Sequence, residues 1–158
     1  MRVAMVCLGN ICRSPMAAAV ATALVGEAGL GGEVTIESFG TAGYHAGEAA
    51  DSRAVAALAR GGWPTGGHRA RQLRPYDIVA ADLVLCADTA NRDEVRRLAP
   101  AGTGAEKIRM LRSYDPEGGG HAEVPDPWGL DDAGFDRALA MIERSCRGLV
   151  GELSARSG

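Results

Sequence analysis

Cys7 and Arg13 are separated by five residues in the run Cys7-Leu8-Gly9-Asn10-Ile11-Cys12-Arg13-Ser14-Pro15, and each position of that run has a use in holding an anion beside a sulfur nucleophile. A loop that curls over a helix N-terminus aims several backbone N–H groups into one concavity, where the helix dipole also favours negative charge. A phosphate dianion suits such a concavity. Gly9 and Asn10 are residue types that accept the left-handed backbone it needs. Arg13 offers two parallel N–H bonds to two phosphate oxygens, a geometry lysine cannot match. The same field favours the thiolate form of Cys7. In-line attack by that sulfur on a phosphate ester is expected to give a phosphocysteine, its equatorial oxygens held by the loop amides and Arg13. Ser14 is placed to cap the helix and to donate to the sulfur. The competing reading makes Cys7 a small core residue, Arg13 a surface charge and Ser14-Pro15 a plain helix start. The apolar run before Cys7, the Gly-Asn pair and the Ser-Pro step, all in register, favour the chemical reading.

A thiolate carries no proton for the alkoxide or phenoxide that departs, so a separate general acid is required. The best candidate is Asp126 in Val124-Pro125-Asp126-Pro127-Trp128, where two prolines fix the backbone and Trp128 is expected to bury the carboxyl in part. In a second step its carboxylate would take a proton from attacking water. The same pattern also describes an Asp-Pro turn with no chemistry, and Asp115-Pro116 supplies a rival acid. Cys7 and Cys12 have no second pair of ligands at zinc-site spacing, so neither a metal nor a cofactor is expected.

These groups need elements to position them. Residues 3–8 form a short apolar run ended by Gly9-Asn10, which reads as a buried strand. Ser14-Pro15 starts a helix over about residues 14–28, with Met16, Val20, Ala23 and Leu24 at helical spacing. Residues 34–39 read as a second strand leading into a Gly-rich loop, 40–47, that is a candidate rim. Asp51-Ser52 caps a helix with Val55 and Leu58 inward, ended at Gly61-Gly62. Further strands are expected at 83–86 and 107–111, a surface helix at 89–98 with Val95 and Leu98 inward, and a closing helix at 131–153 striped by Leu139, Ile142, Cys146, Leu149 and Leu153. Residues 115–127 lack regular structure, with Gly118 to Gly120 the most flexible patch. Strands alternating with helices imply right-handed crossovers. The expected fold is therefore α/β, a single domain over residues 1–158 with a four-stranded, parallel, twisted sheet covered by helices on both faces. The phosphate-binding loop lies between the first strand and the first helix, at the carboxyl edge where such sheets bind ligands.

The chain has 158 residues, 46% of them apolar and 23% charged, and a net charge of -3. With a pI near 5.6 it carries no electrostatic footprint for nucleic acid or an anionic membrane surface. The N-terminal apolar run is too short for a signal peptide or a membrane span, and four cysteines without an export signal read as thiols, so a cytoplasmic protein is expected.

The segments CLGNICRSP (Cys7 to Pro15) and Asp126-Pro127 resemble the low-molecular-weight protein tyrosine phosphatase family, and the similarity runs through most of the chain. The resemblance implies Cys7 as nucleophile, Arg13 as phosphate ligand, Asn10 and Ser14 as organisers of the loop, Asp126 as the acid, and a four-stranded parallel sheet. It implies phosphotyrosine-containing proteins as partners, acted on by a monomer or weak dimer. Two departures stand out. Trp128-Gly129 follows the Asp-Pro where many members have two tyrosines, and Phe39 stands in the rim segment where relatives tend to have a small residue. Tyr44 falls where the family often places a rim aromatic, and equally reads as an ordinary loop tyrosine. Cys12 lies close enough in sequence to Cys7 to form a protective, reversible disulfide, which the resemblance also implies; alternatively it is a small core-facing residue. Cys86 and Cys146 read as packing residues. His68, Arg69, Arg71 and Arg74 form a basic run that either draws anions to the rim or is a solvated face, and the resemblance implies that His68 is a structural anchor.

Three rival functions were weighed. An arsenate reductase of this fold needs further resolving cysteines, and Cys86 stands without a partner thiol. A phosphoarginine phosphatase resembles this sequence but carries a threonine where Ile11 stands, and Ile11 suits an aryl ring better. A non-catalytic phosphate-binding module would be expected to lose Cys7, Arg13 or Asp126, and all three are present.

Overall fold

Alternate residues of the first apolar run point to opposite faces of a sheet, and the two faces collect different helices. The computed structural model describes residues 1–119 and 121–158. Its strands are β1 (Arg2–Cys7), β2 (Thr35–Gly40), β3 (Leu83–Cys86) and β4 (Ile108–Met110), all parallel, in the order β2-β1-β3-β4. Val3, Met5 and Cys7 of β1 join α1 (Arg13–Glu27), α2 (Ser52–Arg60) and α5 (Asp132–Ser157) in one core. Ala4 and Val6 join the other, with Ile78 of α3 (Pro75–Ala80) and Val95 of α4 (Thr89–Leu98). The period of two along β1 thus assigns each side chain to a layer. The expected α/β architecture, with helices on both faces, is the observed one.

The stripe on α5 is buried throughout: Leu139, Ile142, Cys146, Leu149 and Leu153. Burying a side chain of this kind stabilises the fold by roughly 1.5–3 kcal/mol. Gly148 on the same helix lies against the backbone carbonyl of Tyr114, and a Cβ there would collide with it. Glycine therefore lets α5 close onto the 3-10 turn Leu111–Tyr114, which leads directly into residues 115–127.

Several expectations need correction. The first helix begins at Arg13, its N-cap is Cys12, and no side chain caps it. Pro15 is thus the third helical residue, still within the turn whose N–H groups have no intrahelical acceptor, so its missing N–H is harmless. Ser14 is inside the helix rather than at its cap. In α2 the buried residues are Ala54, Ala57 and Leu58, and Val55 is only half-buried. The short α3 was not expected; six residues are too few for a periodic signal, yet it carries Pro75 at its start and Asp77, whose carboxylate accepts the N–H of Arg74 at 2.8 Å. β4 is shorter than expected, and α5 runs on to Ser157. Residues 115–127 contain no helix or strand among those described; of the patch Gly118 to Gly120, Gly120 lies outside the described residues. Among the described residues no helix is long and apolar enough to cross a membrane.

Candidate active site

β1 ends at Cys7 and α1 begins at Arg13, so the five residues between them turn at the carboxyl edge of the sheet. None of the backbone N–H groups from Leu8 to Ser14 donates to a described protein acceptor. Unpartnered N–H groups beside a helix N-terminus are the kind of donors that suit an anion. The loop holds its shape through Asn10, the only non-glycine among the described residues with positive φ, at 59°. Its side chain is fully buried. Nδ2 donates to Ser14 Oγ at 2.8 Å and to Ser38 Oγ at 3.0 Å, and Oδ1 accepts the N–H of Arg71 at 2.9 Å. His68 Nε2 donates to the carbonyl of Asn10 at 2.7 Å. Burial pushes the His68 imidazole below its ordinary value, against the pull of that bond, with Arg71 adding to the lowering. A neutral ring supplies the Nε2–H, and the anchoring role expected of His68 is what its geometry provides.

The sulfur of Cys7 is 3.0 Å from Ser14 Oγ. That hydroxyl also lies 3.3 Å from the carbonyl of Phe39 and has one proton to give, so a thiolate at Cys7 requires the proton to point at sulfur. Arg13 is 3% exposed and, among the described residues, makes its hydrogen bonds through Nη1 alone, donating to Asp88 Oδ2 at 2.7 Å and to the carbonyl of Val124 at 2.9 Å. Its Nε and Nη2 edge makes no such bond and has the fork geometry that matches two phosphate oxygens. Nη2 also sits 3.7 Å from Asp126 Oδ2.

One cavity of about 140 Å³ gathers Cys7, Leu8, Gly9, Ile11, Cys12, Arg13, Asp126 and both expected rim aromatics, Tyr44 and Trp128. Trp128 does not bury the acid: it is 64% exposed and the Asp126 side chain 45%. What holds Asp126 is the N–H of Trp128, donating to Oδ1 at 3.1 Å. The rival Asp115 is elsewhere, its carboxylate without exposure between Arg112 and Arg144. Burial acts to raise its proton affinity, but the Glu117 N–H and the two guanidiniums outweigh it and hold the carboxyl below its ordinary value. An ionised, enclosed carboxylate cannot donate a proton to a substrate. Cys12 is buried, and its thiol is pushed up to about 12 by burial first, then by Asp51, Asp126 and the Cys7 sulfur. Cys86 and Cys146 are fully buried packing residues, pushed up to about 12 by the same cause.

Sequence reasoning missed three contributors. Asp88 caps α4 through Oδ1 while its other oxygen holds Arg13; the Asp-x-x-Asn capping pattern was visible, its reach across the sheet edge was not. Gly40 admits the loop backbone, since a Cβ there would come within 2.7 Å of the Leu8 carbonyl. His45 lines the cavity beside Tyr44, with Nδ1 2.6 Å from Glu48 Oε2.

The family model described as low molecular weight phosphotyrosine protein phosphatase matches residues 2–157. A low molecular weight protein-tyrosine-phosphatase of Streptomyces coelicolor is 47% identical over 150 residues, covering 94% of this chain and 91% of that one. Among solved structures, a protein tyrosine phosphatase from Entamoeba histolytica superposes with a TM-score of 0.92 at 30% identity, covering 100% of this chain and 99% of that one. The YwlE arginine phosphatase of Bacillus subtilis superposes with a TM-score of 0.83 at 27% identity, over 97% of this chain and 95% of that one. A match across almost the whole chain, with the sheet, loop and cavity described above, places this protein in the low molecular weight phosphotyrosine protein phosphatase family, whose members are hydrolases.

Proposed function

We propose that this chain hydrolyses phosphotyrosine in proteins, and small aryl phosphates, through a cysteinyl-phosphate intermediate. The observation that carries this reading is that Cys7 and Asp126 line one small cavity with Arg13. The Cys7 thiolate attacks phosphorus in line, an S–P bond forms, and the P–O bond to the aryl group breaks. The acid form of Asp126 gives its proton to the departing phenoxide. Water then attacks phosphorus, Asp126 takes its proton, the S–P bond breaks, and inorganic phosphate leaves. The amides from Leu8 to Ser14 and the free edge of Arg13 stabilise charge on the transferring group. Ser14, aligned by Asn10, stabilises the departing thiolate.

Leu8 and Ile11 with the exposed rings of Tyr44 and Trp128 offer an apolar slot for an aryl ring, which supports phosphotyrosine over phosphoarginine. The four cysteines are free, which supports a cytoplasmic setting. Cys12, a thiol beside a nucleophilic sulfur, supports redox protection of Cys7: peroxide should yield a Cys7 to Cys12 disulfide by mass spectrometry, and irreversible oxidation without that crosslink would sink the idea.

The recombinant protein is expected to hydrolyse p-nitrophenyl phosphate without added metal, and Cys7→Ser to abolish turnover. Activity surviving in that variant would overturn the mechanism. Phosphotyrosine, phosphoserine and phosphoarginine peptides compared by kcat/KM decide the substrate, and a preference for phosphoarginine or phosphoserine would overturn the aryl reading.

A further inference from the structure

Arg112 is remote from the cavity, yet it grips the segment that carries Asp126 at two points. Its side chain is 14% exposed. Nε donates to Asp115 Oδ2 at 3.0 Å, and Nη1 donates to the carbonyl of Glu123 at 3.0 Å. Asp115 opens the irregular stretch, and its other oxygen accepts from Arg144 Nε of α5 at 3.1 Å and from the N–H of Glu117 at 2.9 Å. The first grip is therefore fixed to the core helix. Beyond the second, Glu123 Oε2 accepts the N–H of Thr89 at 2.7 Å, and Val124 donates its N–H to the carbonyl of Ala87 at 2.8 Å and accepts from Arg13. Asp126 follows two residues later, its side chain almost half exposed, with Oδ1 accepting the N–H of Trp128 at 3.1 Å and Oδ2 3.7 Å from Arg13 Nη2.

We infer that Arg112 is a positioning residue for Asp126: by stapling the Glu123 carbonyl to the anchored Asp115, it holds the acid across the cavity from Cys7. The inference rests on the reading of Asp126 as the general acid. Among the described residues, Arg112 makes no hydrogen bond or ion pair to a group that lines the cavity. Its effect is geometric, because an acid must stay within hydrogen-bond reach of the oxygen it protonates, and a misplacement of about 1 Å can cost roughly 10²-fold in rate.

The leaving group departs in the steps that kcat/KM reports, so a series of aryl phosphates from good to poor leaving groups isolates proton donation. Damage to Cys7 or Arg13 slows every substrate alike, whereas a misplaced acid slows the poor leaving groups most. Arg112→Ala is expected to lower kcat/KM for phenyl phosphate about 30-fold, within the span general acid catalysis contributes, and for 2,4-dinitrophenyl phosphate by less than about 3-fold. Arg112→Lys keeps a charge beside Asp115 but has no second nitrogen for Glu123. It should fold and show the same selective loss, so the test stands even where the alanine variant fails to fold. Added to Asp126→Asn, either substitution should cause no further loss. Equal loss across the series, full activity of Arg112→Lys on phenyl phosphate, or a further loss in the double variant would each overturn the inference. If Asp126→Asn itself shows no leaving-group dependence, the acid assignment falls and the role of Arg112 with it; if Asp126→Asn shows it and the Arg112 variants do not, only the role of Arg112 falls.

Discussion

The two loops that meet at the cavity are built in opposite ways. Between Cys7 and Ser14 the chain is short and anchored at both ends by a strand and a helix; Cys7, Asn10, Arg13 and Ser14 are each no more than 3% exposed, while Leu8, Gly9 and Ile11 face the cavity. The described residues of 115–131 contain no helix or strand, and Trp128 and Leu130 are exposed beside Asp126. The first loop is tied within itself by Asn10 bonding to Ser14, and to its surroundings by Asn10 bonds to Ser38, His68 and Arg71. The second borrows order from Arg112, Thr89, Ala87 and Arg13. The contrast suits the tasks. An anion site gains from fixed dipoles in a dry setting, whereas an acid that must also admit a protein-borne substrate and then water sits at an open rim.

The contrast can be broken by a variant in either loop. The largest effect is expected for Asn10→Ala, which removes three buried hydrogen bonds and leaves alanine at positive φ. It should lower stability by about 3 kcal/mol, summing bonds of about 1 kcal/mol each. Because it misdirects Ser14 and the amides together, it should lower kcat/KM by roughly 10²-fold. That loss should be the same for good and poor leaving groups, and a loss confined to poor leaving groups would show that the two loops are not separable.

An effect confined to stability, and with a pH signature, is expected for Asp115→Asn. Its carboxyl is held below the ordinary value in the fold, so the unfolded chain binds the proton more readily, and the stabilisation is present above the unfolded value near 4 and lost as pH falls through the folded one. Urea unfolding should show the variant about 3 kcal/mol less stable at pH 7, as for a buried pair that loses one partner. The gap should narrow below about pH 4. A gap that stayed constant down to pH 2 would mean that the charge on Asp115 does not hold the second loop.

Local pattern was enough to read much of this molecule. A short apolar run that forms a strand buried on both faces, a helix start after Gly9-Asn10 and an α5 stripe at helical spacing are each legible in a local window of the chain. The nucleophile loop was legible for the same reason: its parts are contiguous, and its left-handed residue, its arginine and its serine act within one turn. The sequence already preferred Asp126 to Asp115, on its two flanking prolines and the family resemblance; what it did not show is that Asp126 lines the cavity while Asp115 is enclosed between two arginines. The short α3 offered too few residues for a period, and Gly40 revealed its purpose only through the carbonyl that approaches it.

By itself, then, the sequence indicated the α/β sheet and the contiguous Cys7 to Pro15 loop that carries the proposed nucleophile and arginine, because those depend on neighbours along the chain. Tertiary structure alone decided that Asp126 lines the cavity with Cys7 while Asp115 is enclosed, that Asp88 and the Val124 carbonyl hold Arg13 from 75 and 111 residues away, and that Arg112 bonds the Glu123 carbonyl. The physical reason is the strand order. A parallel sheet in the order β2-β1-β3-β4 sets the carboxyl ends of its strands at one edge, so the loops that follow β1, β3 and β4 meet there whatever their separation in sequence, and no local pattern records that meeting.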